Sequence, residues 1–178
     1  MSDDEFADLT LAEAREFLEY FISSGRAAVA ELAPLAKSAG VSLDYRLVSL
    51  ASALEWFAHQ LTFQRVPLPA DTPDWIRASV PPDVIEFDDP SKLLIGRASY
   101  YLGECFARLP GMHWTTGDPE YAEKHMPVVA GFSKGVDLPP LMVVKNLLMD
   151  IVEGQPRDSL LTCIEVWSAR CPSVPPTE

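Results

Sequence analysis

Between Arg97 and Ser133 the spacing of apolar residues changes from helical to extended, and this change constrains the fold more than any other feature of the chain. A helix carrying Tyr101-Leu102-Gly103-Glu104 meets a Pro110-Gly111 stop. Two extended runs follow, His113-Trp114-Thr115 and Val128-Val129-Ala130-Gly131-Phe132. They form an antiparallel pair if the polar loop from Gly117 to Met126 is a hairpin connection. The rest of the chain is patterned as helix, so the expected class is α+β and helix-rich, with about five or six helices packed on a small antiparallel β-hairpin or short sheet.

Thr10-Leu11-Ala12-Glu13 has the form of a capping box and opens a helix whose apolar stripe is Leu11, Ala14, Phe17, Leu18 and Phe21. Gly25 is expected to end it, with a second helix from Arg26 to Ser38 broken near Pro34. Asp44 is the expected N-cap of a long helix through Leu47, Leu50, Leu54, Phe57 and Leu61. His59, alone at its far end, has no partner at ligand spacing.

Residues 66–90 form a Pro-rich surface connection, with a helical turn at Asp74-Trp75-Ile76-Arg77 and an extended piece at Val84-Ile85-Glu86-Phe87. Trp75 and Phe87 are expected to pin it to the core. Asp89-Pro90 opens a helix to about Leu109, in which Arg97, Tyr100, Glu104 and Arg108 lie away from the apolar face. Gly103 in its interior implies close approach of another backbone. Trp114 belongs on the core side, while His113 and His125 are expected at the surface.

Asp137 is the expected cap of a helix beginning at Pro139-Pro140. From Leu141 to Val152 that helix has scarcely any polar face, so it is either buried on most sides or part of an oligomer interface, and Gly154 ends it. A last helix from Asp158-Ser159 faces Leu160, Leu161, Ile164 and Trp167 inward. The expected organisation is one globular domain over 1–178, with a loose acidic leader at 1–8 and a loose tail at 173–178.

Fourteen Lys and Arg against twenty-six Asp and Glu give a net charge of −12, which argues against nucleic acid and anionic membranes as partners and would steer a basic one inward. The three cysteines, Cys105, Cys163 and Cys171, suit reduced thiols. No apolar run reaches the length of about eighteen residues that spans a bilayer, and Met1-Ser2-Asp3-Asp4-Glu5 is opposite in charge to a secretion signal, so a cytoplasmic location is expected.

Phosphate-loop, nucleophile-elbow, His-Glu-x-x-His and dinucleotide motifs are missing, and the carboxylates of the connection do not fit a calcium loop. No cofactor, metal or catalytic residue is assigned.

Leu43-Asp44-Tyr45 with Ser49-Leu50 and Trp56-Phe57, then Tyr101-Leu102-Gly103-Glu104, Arg108, Gly111 and Trp114, then Pro127-Val128-Val129, Gly131-Phe132, Pro139-Pro140 and Asp158-Ser159-Leu160 make a pattern. From about residue 40 onward this pattern resembles a diffuse group of small bacterial α+β proteins, some similar to immunity proteins of toxin systems. The resemblance implies no catalytic residues. With the acidic charge, it leads to the expectation of a non-enzymatic protein that binds a protein partner, an immunity-type inhibitor of a basic toxin domain. The acidic and aromatic residues themselves, not the resemblance, suggest Asp83, Glu86, Asp88 and Asp89 as steering, Trp75 or Tyr100 as aromatic anchors, and Glu104 in the same set. Two other functions stay open: a small hydrolase-like enzyme using Glu104 with His113 or His125, and an oligomeric scaffold or accessory subunit exposing part of the 141–152 helix.

Overall fold

The computed structural model of the chain describes residues 4–121, 123–155 and 157–172. Their order is α1 (Asp4–Ala7), α2 (Leu11–Ser38), α3 (Leu47–His59), β1 (Phe63–Pro67), α4 (Asp74–Arg77), β2 (Asp83–Phe87), α5 (Asp89–Ala107), β3 (His113–Thr116), β4 (Pro127–Ala130), α6 (Pro140–Val152) and α7 (Arg157–Ser168). Over the described residues the protein is α+β and helix-rich, 57% helical with two small antiparallel two-stranded sheets.

α5 is the axis of the molecule. Every residue from Ala98 to Phe106 is buried, and α2, α3, α6 and β4 all pack against this helix. The face expected to carry Tyr100 and Glu104 outward is therefore covered as well, because α2 lies on it. Tyr100 is 0% exposed and meets Phe21 edge-on.

α2 runs unbroken through both expected stops. A Cβ at Gly25 would lie 2.3 Å from Tyr100 Cγ, so this glycine is the contact point between α2 and α5. Pro34 sits on an exposed stretch, where water can satisfy the carbonyl that its missing N–H leaves free. The Thr10 capping box is formed, with Glu13 N–H donating to the hydroxyl and the Glu13 carboxylate accepting from Thr10 N–H.

Ahead of it the leader is not loose over its described part. Phe6 is 2% exposed, edge-on to Phe17 at 5.2 Å and clustered with Met126 and Val128. The expected loose tail lies outside the described residues.

Helix starts differ from expectation by a residue or two. Arg46, not Asp44, is the N-cap of α3, while Asp44 accepts from Arg46 N–H and from the Ser49 hydroxyl to shape the approach. Asp88 caps α5 by accepting from Ser91 N–H at 2.9 Å. Pro139 takes the N-cap position of α6, so Asp137 is not its cap. The apolar sides of α6 are covered within the chain: Val144, Leu147 and Leu148 are buried, and Leu141, Val143, Met149, Ile151 and Val152 pack around the same core. In α7, Leu160 is buried but Leu161 remains 39% exposed.

β3 and β4 pair antiparallel, with Trp114 opposite Val129. The close backbone approach expected at Gly103 occurs instead at Gly131, φ +106°, where a Cβ would lie 2.3 Å from Gly111 O. At Gly103 the neighbours are side chains, Trp114 and Pro140. His125 is another departure, since it is buried at φ +62° and not at the surface; His113 is exposed.

The second sheet was not expected. β1 pairs antiparallel with β2, from Phe63 opposite Phe87 to Pro67 opposite Asp83. Neither strand packs extensively on any other element. Phe87 anchors the base of this ribbon in the core at 8% exposure, but Trp75, on α4 between the outer strand ends, is 73% exposed and pins nothing.

Candidate functional site

The ribbon and α4 make an arm whose tip is internally tied. The Arg77 guanidinium donates to the carbonyls of Thr72, Pro69 and Ala70 at 2.9, 2.8 and 2.8 Å. Leu68 N–H donates to Pro82 O across the strand ends. Arg65 at 3.6 Å from Asp83 is half-exposed on both sides, a pair worth at most about 1 kcal/mol. Arg77 thus supports the loop, Arg65 is shared with Asp83, and the acidic residues of the arm outnumber its cations.

At the base, three of the four acidic residues expected to steer a partner come together. Glu86, Asp88 and Asp89 line an open cleft of about 450 Å³ with Phe63, Gln64 and Lys92. Glu86 accepts from Gln64 Nε2 at 3.2 Å, a consequence of the register that sets them opposite each other. Asp89 pairs with Lys92 at 2.9 Å. The Ser91 hydroxyl and backbone N–H hold the Asp88 carboxyl below its ordinary value. Asp83 and Trp75 lie apart from this cleft, toward the outer end. Phe63, 41% exposed, went unnoticed in the sequence because its strand carries no alternation and ends in a proline.

Tyr100 and Glu104 belong to a different place and cannot share a surface with the arm. Tyr100 is enclosed, which removes it as an aromatic anchor. Glu104 is 8% exposed and fully engaged, accepting from Trp114 Nε1 at 3.1 Å and from Arg108 Nε at 3.0 Å. Because neighbouring strand residues project to opposite faces, the turn of Trp114 toward Glu104 directs His113 away from it. No hydrogen bond links either His113 or His125 to Glu104 among the described residues.

Burial pushes the Cys105 thiol up to about 12, so it stays protonated. Among the described residues, no group of three or more His, Cys, Asp or Glu is placed to hold a metal ion. No helix among them is long and apolar enough to cross a membrane.

Comparison with protein-family models, with curated proteins and with solved structures found no match for the chain.

Proposed function

We propose that the chain is a non-enzymatic binder of a basic protein partner, of the immunity-type inhibitor class, and that the β1–β2 arm with its basal cleft is the surface it uses. The observation that carries this proposal is the pairing of uncovered apolar side chains with excess carboxylate on one projecting element. Phe63 is exposed at the base beside Glu86, Asp88 and Asp89, and Val84 and Trp75 are exposed farther out along the arm. Large apolar groups left uncovered next to like charges suit a surface that a partner of opposite charge closes.

The reading is tested by isolating the bound protein from the native host and measuring its affinity against three variants. Trp75→Ala and the double reversal Glu86→Lys with Asp89→Lys should each weaken binding at least tenfold. A reversal on the outer face of α2, Glu16→Lys, should leave it unchanged. A partner of neutral or acidic charge, or arm variants that bind as the parent does, would refute it.

A further inference from the structure

The register of the arm decides which of its backbone groups are engaged and which are free. Leu68 N–H donates to Pro82 O at one end of the ribbon, and Asp88 N–H to Thr62 O at the other. Hydrogen-bonded and non-hydrogen-bonded pairs alternate along an antiparallel ladder, so between these ends the bonded pairs are Gln64–Glu86 and Val66–Val84. Phe63–Phe87, Arg65–Ile85 and Pro67–Asp83 are of the other kind, and their N–H and C=O groups point out of the ribbon.

Among the described residues no third strand pairs with either edge, and no backbone hydrogen bond reaches these outward groups. A two-stranded ribbon is marginal by itself, and neither strand packs extensively on the body, so the arm is one strand short of a stable sheet. The two edges differ. On β1, Pro67 has no N–H to offer, and Arg65 places a cation along the same edge. On β2, Asp83 and Ile85 each keep a donor and an acceptor, and their neighbours are Val84 and Glu86, with Asp88 just beyond.

Charge selects the occupant. A second copy of the chain added edge to edge would bring Asp83, Glu86 and Asp88 of one β2 against the same carboxylates of the other, and like charges opposed across a ladder destabilise it. A basic segment meets the opposite condition. Side chains of an added strand alternate between faces as those of β2 do. A residue opposite Glu86 and one opposite Asp83 would thus meet carboxylates, while one opposite Val84, 37% exposed, would meet apolar surface. Read along an antiparallel strand, the segment that fits is basic, any residue, apolar, basic.

We propose that the free edge of β2 receives an extended basic segment of the partner as a third, antiparallel strand, bonded through the N–H and C=O groups of Asp83 and Ile85 and set in register by Glu86. This rests on the proposed function for the arm as the partner surface, and adds how the arm is engaged and what the partner must present. Main-chain bonds to the edge supply affinity, and Glu86, Asp83 and Val84 supply the choice of sequence.

The experiment titrates the isotopically labelled full chain with a capped peptide whose core reads lysine–threonine–valine–lysine, followed by magnetic resonance and by amide exchange at each residue. Saturable shifts below about 5 mM peptide are expected. Exchange at the Asp83 and Ile85 N–H groups should slow at least tenfold, while Phe63 and Arg65, on the other edge, stay unchanged. The same peptide with glutamates in place of the lysines should not bind. Ile85→Pro removes one outward donor and no bond of the ribbon, a change that Pro67 shows the ribbon to accept, and should weaken binding about tenfold. Slow exchange at Val66 and Val84 checks that the ribbon survives in that variant; where it does not, the exchange pattern of the parent chain decides. No saturation, protection on β1 instead of β2, or equal binding of the glutamate peptide would overturn the proposal. So would protection of Asp83 and Ile85 that grows with protein concentration in the absence of peptide, which would give the edge to a second copy. Failure of the proposed function reads differently. A basic host partner that binds through Trp75 and Glu86 while Asp83 and Ile85 exchange freely removes strand addition and leaves that function standing, whereas peptide binding at β2 with no basic partner in the host does the reverse.

Discussion

Gly103→Ala tests how tightly the centre of the molecule is closed. In an ordinary helix interior this change stabilises by about 1 kcal/mol, because alanine restricts the unfolded chain and favours the helix. Here the added Cβ would lie 2.1 Å from Trp114 Cη2, 2.5 Å from Cζ2 and 2.9 Å from Pro140 Cγ. Trp114 would have to retreat until the first of these reached an ordinary 3.4 Å contact.

It has little room to do so. Its ring is parallel to Tyr100 at 6.2 Å, edge-on to Phe21 at 5.7 Å, and tied through Nε1 to Glu104. Overpacking of this kind costs about 1–3 kcal/mol, and stretching the Trp114–Glu104 bond adds about 1–3 kcal/mol more. Set against the helix gain, Gly103→Ala should destabilise by about 1–5 kcal/mol, measured by urea unfolding followed by circular dichroism. Trp114→Phe removes the two nearest atoms and leaves only Pro140 Cγ at 2.9 Å, so in that background the same alanine should cost clearly less. A Gly103→Ala chain as stable as the parent, or the same cost in both backgrounds, would refute the reasoning.

Cys105, protonated and 1% exposed, should resist alkylation by iodoacetamide at pH 8 in the folded chain, while half-buried Cys163 and Cys171 react first, as peptide mass spectrometry would report. Burial, with repulsion from Glu123 and Asp118 partly offset by His113, holds the Asp137 carboxyl above its ordinary value. Its ionised form is thus disfavoured in the folded state, a stability contribution present at low pH and lost as pH rises, so Asp137→Asn should raise the unfolding temperature at pH 7 with the gain vanishing below about pH 4. Thr10→Ala removes the capping box of α2 and should cost about 1 kcal/mol in urea unfolding. Ser91→Ala leaves Thr62 N–H without its 2.8 Å acceptor at the arm's base and should cost about 1–2 kcal/mol, with faster amide exchange in β1 and β2 but not in α3.

What the sequence disclosed was the chemistry closed within a few residues. The Thr10 box, the helical turn at Asp74–Arg77 and the Gly154 end of α6 each depend on side chains and backbone groups less than a turn or two apart. Gly25 could not be recognised as a helix-interior residue, because its reason for being glycine is Tyr100 on α5. Tyr100 itself was misplaced because it shares a helix face with Arg97 and Arg108, and nothing local reveals that α2 covers that face. β1 was invisible for a related cause: Phe63-Gln64-Arg65-Val66-Pro67 lacks alternation, and its partner was legible only as an isolated extended piece. The acidity of the candidate surface could be read directly. Its cleft could not, since that depends on the register setting Gln64 against Glu86.

The arm and the body divide the chain's stability and its surface chemistry between them. Core packing converges on α5, while β1 and β2 pair mainly with each other, so substitutions at the outer end of the arm have little core to disturb. Its base is different: Thr62 N–H donates to the Ser91 hydroxyl, Ser91 N–H to Asp88, and Asp88 N–H to Thr62 O, a closed set fixing the ribbon to the start of α5. A partner of the kind proposed would therefore meet a presented arm and not a free loop, which would lower the ordering entropy lost on binding. Under the proposed function, the two kinds of arm residue act on different rates. Burying a side chain the size of Trp75 contributes about 2–3 kcal/mol and slows dissociation, whereas Glu86 and Asp89, already solvated, act through the approach of a basic surface and lose that influence as salt rises. Affinity and speed are then separable on one element, because Trp75 sits toward its tip while Glu86 and Asp89 lie at its root.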